Sequence, residues 1–363
     1  MKHKKNIAVI GTVGLPAKYG GFETLAEYLV KHLARKHNIT VYCSGKSYHY
    51  KPSTYKNANL KYVNLKANGI QSIPYDIISI FKAHRTSETL LVLGVSGCII
   101  LPILKIFSKK KIIVHIDGLE WKRDKWSNYA KWFLKFSEKL AVKNADIIIS
   151  DNKVIQDYVR KKYKKTSELI AYGSDHCSNQ EMTKKMISEH PFLKEKYALK
   201  VSRIEPENNI HIVLKAFSKI KDLNLVVIGN WNNSNYGKKL KLKFESHKNI
   251  HLMEPIYNQN ILNQIRSNCY IYIHGHGAGG TNPSLVEAMY LSLPIVAFGI
   301  NYNIETTGNK AKYFNNEHDL INIINKLTIV EVNSISVNLK EIANTKYTWK
   351  IISEKYDRLF CNI

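Results

Sequence analysis

The chain has 363 residues, which corresponds to about two domains of ordinary size or to one large domain. Hydrophobic residues make up 44% and charged residues 23% of the chain, which excludes wholesale disorder and collagen-like repeats. The 54 lysines and arginines exceed the 29 aspartates and glutamates. The resulting formal net charge of +25 indicates an acidic partner, such as nucleic acid, an anionic membrane or a phosphorylated substrate.

The first half of the chain alternates between predicted strands and helices. Residues 7–10 form a short apolar strand that ends at Gly11, and a helical spacing of apolar residues runs from Phe22 to Leu33. Further strands are predicted at 39–43, 90–93, 111–114, 145–150 and 168–171. This alternation is typical of a parallel sheet with helices on both faces, so the first domain is expected to be Rossmann-like.

The segment 90–107 is apolar apart from a few residues, among them Gly94, Gly97 and Pro102. A transmembrane helix needs about 20 predominantly apolar residues. Because the segment lies between predicted strands of one sheet, we interpret it as a strand, a turn and a buried helix. A membrane span is the alternative.

The alternation resumes after a polar stretch at 174–196. Strands are predicted at 197–201, 223–228, 251–253, 269–273 and 294–298, and helices at 210–220, 284–291 and 348–360. We predict an α/β protein with two doubly wound, Rossmann-like domains facing a cleft. The expected boundaries are an N-terminal domain at 1–175, a linker at 176–196, a C-terminal domain at 197–345 and a helical segment at 346–363 that could return to the first domain.

Neither cysteine spacing nor the N-terminus indicates secretion. The five cysteines lie far apart without a C-x-x-C pair, which favours free thiols in a reducing compartment. The basic N-terminus lacks a signal-peptide core and a small-residue cleavage site. We therefore expect a protein that is not exported.

The segment 274–289, with the sequence HGHGAGGTNPSLVEAM, lies between a predicted strand and a predicted helix. Asn282 is suited to cap that helix and Pro283 to its first position. The preceding glycine loop would present backbone amides to an anion at the positive end of the helix dipole. Glu287 could then accept hydrogen bonds from the sugar hydroxyls of a nucleotide. A glycine-rich turn with an ordinary exposed glutamate is the alternative.

Arg203 follows the predicted strand 197–201 in the sequence VSRIEPENN. An arginine there can bind a diphosphate through two hydrogen bonds and stabilise it as a leaving group. A surface salt bridge to Glu205 or Glu207 is the alternative. His274 and His276 could ligate a metal, but no cysteine or carboxylate stands at the usual ligand spacing, so we expect no metal.

Two loops of the first half could contact a substrate. The loop 11–23 carries two glycine clusters that permit close approach of the backbone to a phosphate or sugar. In it, Glu23 is either a helix-capping carboxylate or an acceptor contact. In the segment 115–126, Trp121 offers a flat face for a sugar ring, and Asp117 could deprotonate or orient a hydroxyl. A capping aspartate before a glycine turn is the alternative.

Four motifs occur in order between residues 11 and 289: GLPAKYGGFET, DGLEWKR, RIEPENN and GGTNPSLVEAM. Together they resemble the bacterial rhamnosyltransferases of the retaining, GT-B-fold glycosyltransferase class. The resemblance implies a nucleotide-sugar donor held mainly by the C-terminal domain and an acceptor held mainly by the N-terminal domain. It also implies metal-independent transfer with retention at the anomeric carbon, without a cofactor. The usual setting of the family is polysaccharide synthesis on a polyprenyl-diphosphate carrier at the inner face of the membrane.

The resemblance also assigns roles by position. Arg203 matches the diphosphate-binding arginine, and Glu287 matches the second glutamate of an E-x7-E signature, the one expected on the ribose. The first glutamate of that signature falls on Gly279, and the lysine usually found after the arginine falls near Asn208. The expected catalytic residues are Asp117, Arg203 and Glu287. The expected donor-binding residues are Gly14, Arg203, Asn208, Gly279, Gly280, Thr281, Asn282, Ser284 and Glu287. The expected acceptor-binding residues are Tyr19, Gly20, Gly21, Glu23, Glu120, Trp121 and Arg123.

A predicted helix at 126–142 combines basic and aromatic residues. Lysines recur every four residues along this helix and just beyond its end: Lys131, Lys135, Lys139 and Lys143. Aromatic residues occupy neighbouring positions: Trp126, Tyr129, Trp132, Phe133 and Phe136. This combination suits an anionic membrane surface, and a solvated lysine face with aromatics in the core is the alternative.

We therefore predict a cytoplasmic enzyme, peripheral at the inner membrane face, that transfers L-rhamnose from dTDP-rhamnose to a polyprenyl-diphosphate-linked saccharide of a capsule or O-antigen. The same fold with a UDP-hexose donor is the alternative. A basic nucleic-acid-binding protein is more remote, because no helix-turn-helix, RRM or zinc-finger pattern occurs. A nicotinamide-dependent dehydrogenase would need a G-x-G-x-x-G loop that the chain lacks.

Overall fold

The structure is a computed structural model that describes residues 4–18, 20–122 and 126–361. Its internal contacts divide the chain into two units. The first unit comprises the described residues up to Tyr172 and those from Trp349 onward, and the second unit is Gly173–Thr348. Each unit is an α/β domain built on a mainly parallel sheet, which confirms the predicted fold class.

The first unit contains an eight-stranded sheet with the order β3-β4-β2-β1-β5-β6-β7-β8, in which β3 alone is antiparallel to its neighbour. The strands are β1 (Asn6–Ile10), β2 (Asn38–Ser44), β3 (Thr54–Tyr55), β4 (Ala58–Val63), β5 (Thr89–Leu93), β6 (Lys111–Ile116), β7 (Ile147–Ser150) and β8 (Glu168–Leu169). Its first five helices are α1 (Gly21–Leu33), α2 (Ser72–Thr86), α3 (Leu101–Phe107), α4 (Asn128–Asn144) and α5 (Lys153–Tyr163).

The core of the first unit lies around its central strands. All five residues of β5 and four of the five in β1 are buried, as expected for parallel strands covered on both faces. Gly11 ends β1 with φ +88°, and a Cβ atom there would lie 2.0 Å from the carbonyl oxygen of Leu93. Only glycine therefore allows the chain to turn over the end of β5 at this point.

The second unit contains a six-stranded, fully parallel sheet with the order β11-β10-β9-β12-β13-β14. The strands are β9 (Tyr197–Val201), β10 (Asn224–Ile228), β11 (Ile250–Met253), β12 (Ile271–His274), β13 (Ile295–Phe298) and β14 (Lys312–Phe314). The helices are α6 (Lys184–Glu189), α7 (Ile210–Lys219), α8 (Asn235–Phe244), α9 (Gln259–Ser267), α10 (Pro283–Tyr290), α11 (Asn301–Thr306), α12 (Glu317–Lys326) and α13 (Ile329–Lys346). Residues 176–196 lie within this unit and include α6.

The last helix, α14 (Trp349–Cys361), belongs to the first unit although it follows the second in the chain. The ring of Trp349 stacks on Tyr28 of α1 with 4.5 Å between the ring centroids. The hydroxyl of Tyr356 lies 2.9 Å from Nδ1 of the buried His115 in β6. Helix α14 therefore packs against α1 and against β6 of the first sheet.

The segment 90–107 folds as β5, a 3₁₀ turn at Cys98–Ile100 and α3, as predicted. The expectation that the helix is buried is wrong, because Ile103, Ile106 and Phe107 of α3 are exposed to solvent. No single helix in the described part of the chain is long and apolar enough to cross a membrane. One pair, Glu317–Lys326 with Ile329–Cys361, meets the length and composition criteria together but is bent by 107°.

Candidate active site

Two loops of the second unit meet at the carboxyl ends of the neighbouring strands β9 and β12. The loop after β9 accepts a hydrogen bond at the carbonyl of Glu207 from the backbone N–H of Gly277, at 2.8 Å. The side chain of Asn209 donates to the carbonyl oxygen of Gly275 at 3.0 Å. Because these loops carry RIEPENN and the glycine-rich segment, the fold brings two of the four motifs together.

Glycine is required in the second loop for two different reasons. A Cβ atom at Gly275 would lie 2.5 Å from the carbonyl oxygen of Asn208 and 2.6 Å from Nζ of Lys200. Gly279 has φ +118°, which other residues adopt only with strain, yet a Cβ atom there would meet nothing within 4 Å. The first loop therefore packs tightly beneath Gly275, whereas the space beside Gly279 is open.

Arg203 projects from the first of these loops. Its side chain is 45% exposed, and the carboxylate of Glu205 lies 3.9 Å from its guanidinium, at the limit of an ion pair. Asn208 is buried and donates a hydrogen bond from Nδ2 to the carbonyl oxygen of Arg203 at 2.8 Å. Asn208 therefore holds the shape of the loop, while the guanidinium of Arg203 can reach a ligand.

Helix α10 begins where the sequence predicted. Asn282 occupies the N-cap position and Pro283 the first turn, but the side chain of Asn282 makes no capping hydrogen bond. Its Oδ1 instead accepts a hydrogen bond from the Ser284 hydroxyl at 3.1 Å. Gly280 and Thr281 are buried just before the helix. The positive end of the α10 dipole thus faces the glycine loop.

Glu287 is buried in α10 and is part of an ion-pair network. Its Oε2 lies 2.7 Å from Nη2 of Arg266 in α9, and its Oε1 lies 3.2 Å from Nε2 of His176. Burial raises the pKa of Glu287, but the charge of Arg266 and the hydrogen bond from His176 outweigh burial and hold the pKa at about 2. The alternative of an ordinary exposed glutamate is therefore wrong.

The same network contains a cluster that could hold a metal ion. The possible ligand atoms of His176, Cys177 and Glu287 lie within 4.8 Å of one another. The guanidinium of Arg266 lies against the same carboxylate and would repel a cation. A second such cluster in the described residues, in the first unit, is formed by His37, Asp357 and Cys361.

A buried pair of basic side chains lies behind the glycine loop. Nζ of Lys200 in β9 and both ring nitrogens of His274 in β12 have no hydrogen-bond partner among the described residues. Burial lowers the pKa of Lys200 to about 7. Burial, with the charge of Lys200, lowers the pKa of His274 well below its usual range. His274 and His276 belong to neither of the possible metal clusters.

In the first unit, buried carboxylates hold the loop between β1 and α1. Glu23 accepts a hydrogen bond from the backbone N–H of Lys18 at 3.1 Å, and Glu27 accepts one from Ala17 at 3.0 Å. Gly20 caps α1 and Gly21 is its first residue. Gly14 has φ +132° and packs against Cys43. Tyr19 lies outside the described residues.

The loop after β6 carries the remaining candidates. Asp117 is half-buried and directly follows the strand. Trp121 donates a hydrogen bond from its indole N–H to Glu138 of α4 at 3.0 Å, and Trp126 lies 3.5 Å from the carboxylate of Glu120. Arg123 lies outside the described residues.

Comparison with known proteins finds a family model that matches most of each unit. Residues 182–336 match the family model described as Glycosyl transferases group 1, and residues 4–175 match a domain of unknown function, DUF1972. No curated protein sequence matches the chain.

Solved structures share the complete fold at low sequence identity. Sucrose-phosphate synthase from Thermosynechococcus elongatus is similar with a TM-score of 0.81 and 15% identity over 99% of both chains. HepE from Anabaena, in complex with UDP-glucose, has a TM-score of 0.76 and 13% identity over 99% of this chain and 100% of its own. A glycosyltransferase from Rickettsia africae has a TM-score of 0.71 and 13% identity over 99% of this chain and 98% of its own.

The two Rossmann-like sheets and these neighbours show that the chain has the GT-B fold. Within this fold, a segment that matches DUF1972 precedes a segment that matches the model of the group 1 glycosyl transferases.

Sequence reasoning missed several residues that shape the site. Arg266, His176 and Lys200 interact with it only through the fold. His176 is 111 residues from Glu287, and no spacing in the sequence connects the two. Glu27 is different, because an acidic residue one turn after Glu23 on the same helix face is visible in the sequence.

Proposed function

We propose that this protein is a glycosyltransferase that transfers L-rhamnose from dTDP-rhamnose to a saccharide carried on a polyprenyl diphosphate, with retention at the anomeric carbon. The observation that carries the donor assignment is the meeting of the Arg203 loop with the glycine loop at the start of α10. A guanidinium and a helix N-terminus at one place are suited to a diphosphate leaving group. The open space beside Gly279 suits a donor sugar that needs few polar partners.

The reaction proposed is a front-face transfer. Arg203 and the amides around Gly279 stabilise the departing nucleoside diphosphate, whose oxygen assists in deprotonating the acceptor hydroxyl. The carboxylate of Glu287, which Arg266 and His176 keep ionised, accepts hydrogen bonds from the ribose hydroxyls. Asp117 orients the acceptor hydroxyl from the loop after β6. We propose no metal or cofactor for this chemistry.

A UDP-hexose donor is the second candidate. The observation that favours it is the likeness to HepE, whose structures contain UDP and UDP-glucose. Both candidates use the same diphosphate site and differ in the base and the sugar.

Calorimetric titration with dTDP and UDP tests the donor site. We expect Arg203→Ala to weaken nucleoside diphosphate binding about 10- to 100-fold, because hydrogen bonds between charged partners contribute about 1.5–3 kcal/mol. Lys239→Ala, at an exposed position of α8, is the matched control and should bind as the unmodified protein does. Tighter binding of dTDP than of UDP would favour rhamnose. Unchanged binding by Arg203→Ala would disprove the diphosphate assignment.

The proposal places the enzyme at the inner face of the cytoplasmic membrane. Its support is a surface of α3 and α4 on which aromatic and aliphatic side chains are exposed, including Tyr129 at 89%, Trp132 at 68% and Phe107 at 78%. Lys139 and Lys143 are exposed on the same helix, α4. Aromatic and basic residues on one surface favour an anionic bilayer.

A further inference from the structure

Three lysines of the first unit converge on the indole ring of Trp121. Their Nζ atoms lie 5.6 Å (Lys122), 5.1 Å (Lys135) and 5.3 Å (Lys162) from the ring centroid. They come from the 3₁₀ turn at Glu120–Lys122, from α4 and from α5. Because the cluster is built from three elements, it depends on the tertiary structure, and no sequence motif predicts it.

One buried carboxylate, that of Glu138, forms hydrogen bonds with members of this cluster. Oε2 of Glu138 accepts the hydrogen bond from Trp121 at 3.0 Å. Oε1 of Glu138 accepts hydrogen bonds from Tyr158 at 2.6 Å, Tyr163 at 2.5 Å and Lys162 at 3.3 Å. Glu138 is 1% exposed, so its charge is largely committed to these donors. Of the three ammonium groups, that of Lys162 forms an ion pair with Glu138, whereas those of Lys122 and Lys135 lie over the ring of Trp121.

The positive charges of the three lysines repel one another when no further anion is present. Burial lowers the pKa of Lys162, Glu138 opposes that effect, and the charges of Lys135 and Lys122 lower the pKa further. Lys122 and Lys135 are exposed and can move toward a ligand, whereas Lys162 is held over the rings of Tyr158 and Tyr163. A phosphate or diphosphate would relieve the repulsion and would be reachable from solvent.

We propose that Lys122, Lys135 and Lys162 bind the diphosphate of a lipid-linked acceptor. This inference rests on the proposed function, in which the acceptor is carried on a polyprenyl diphosphate. Lys135 lies one helical turn from Trp132, whose ring stacks on Phe136 at 5.7 Å between centroids. The anion site therefore adjoins the exposed aromatic surface of α4. A lipid diphosphate satisfies both features, with its charge on the lysines and its chain against the apolar side chains.

Vesicle binding tests this site without requiring sugar transfer. Phosphatidylcholine vesicles contain either a polyprenyl diphosphate or phosphatidylglycerol in an amount that gives the same charge, and binding is measured by flotation. The test variant is Lys122→Gln with Lys135→Gln, and the control is Lys139→Gln with Lys143→Gln, which removes equal charge from exposed positions of the same region. Thermal unfolding verifies that both variants fold.

We expect the unmodified protein to bind diphosphate vesicles at least tenfold more tightly than the charge-matched vesicles. Each lysine near an anionic group contributes about 1 kcal/mol, or roughly fivefold, so the test variant should lose about 25-fold on the diphosphate vesicles. The control should weaken binding to both vesicles equally and keep their ratio. Inorganic pyrophosphate added in excess should compete with diphosphate vesicles for the unmodified protein.

Two results would overturn the proposal: equal binding of the unmodified protein to both kinds of vesicle, or an equal loss of selectivity in the test and control variants. Binding of dTDP and UDP is measured in the same preparations and reports on the second unit. Failure to bind either nucleotide would contradict the proposed transferase site, whereas the vesicle ratio alone decides the lysine site.

Discussion

Replacing Lys200 with methionine should stabilise the second unit, in a pH-dependent way. Lys200 lies in β9, a central strand of the six-stranded sheet, and is 1% exposed. Its ammonium has no hydrogen-bond partner among the described residues, and burial lowers its pKa from 10.5 to about 7. Methionine has a similar length and carries no charge, so it should fill the same space.

The size of the effect follows from the two pKa values. Between pH 7 and 10.5 the unfolded chain binds the proton and the folded chain does not, so stability rises with pH in that window. The resulting destabilisation by Lys200 is about 4–5 kcal/mol at pH 7, about 3 kcal/mol at pH 8.5 and about 1 kcal/mol at pH 10. Methionine removes this contribution at every pH.

Calorimetric unfolding at these three pH values measures the difference in stability between the Lys200→Met variant and the unmodified protein. For a unit of this size 1 kcal/mol shifts the midpoint by about 2–4 °C, so Lys200→Met should unfold about 10 °C higher at pH 7 and almost at the same temperature as the unmodified protein at pH 10. Lys238→Met, on the exposed surface of α8, is the control and should show little change. A gain independent of pH, or a loss of stability at pH 7, would refute the view that the buried ammonium is uncompensated.

Two further predictions concern the ion-pair network and the proposed membrane surface. Glu287→Gln leaves the buried guanidinium of Arg266 without its carboxylate and should destabilise the second unit by about 3–5 kcal/mol, measured by denaturant unfolding; an unchanged midpoint would contradict the ion pair. Because the pKa of Glu287 is held at about 2, this contribution is present above about pH 4.5 and should be lost as the pH falls through about 2. Combined Trp132→Ala and Phe136→Ala should reduce co-sedimentation with anionic vesicles several-fold, and equal sedimentation would argue against a role for α4 at the membrane.

Much of the architecture follows from local patterns in the sequence. The apolar runs of β1, β9 and β12 each end at a polar or glycine-rich segment, and each of those segments is a loop that carries candidate functional residues. Pro283 marked the first turn of α10. Such features are predictable because strand burial and helix starts depend on residues close together in the chain.

Other elements were missed or misjudged. The segment between 44 and 89, which forms β3, β4 and α2, lacks a run of apolar residues as clear as that of β1. Helix α3 is as apolar as a buried helix, yet one face of it is exposed. Composition reports how apolar a helix is but does not report which of its faces another element covers.

The sequence by itself determined the class of fold, the places where loops would bear function, and the identity of Arg203 and Glu287 as candidates for a donor site. The tertiary structure alone decided which distant groups surround them: Arg266 and His176 at Glu287, the buried Lys200 beneath Gly275, and three lysines from separate elements around Trp121. The physical reason is that local propensity acts over a few residues. Electrostatic pairing acts over a few ångströms in space, and only the folded topology defines those distances.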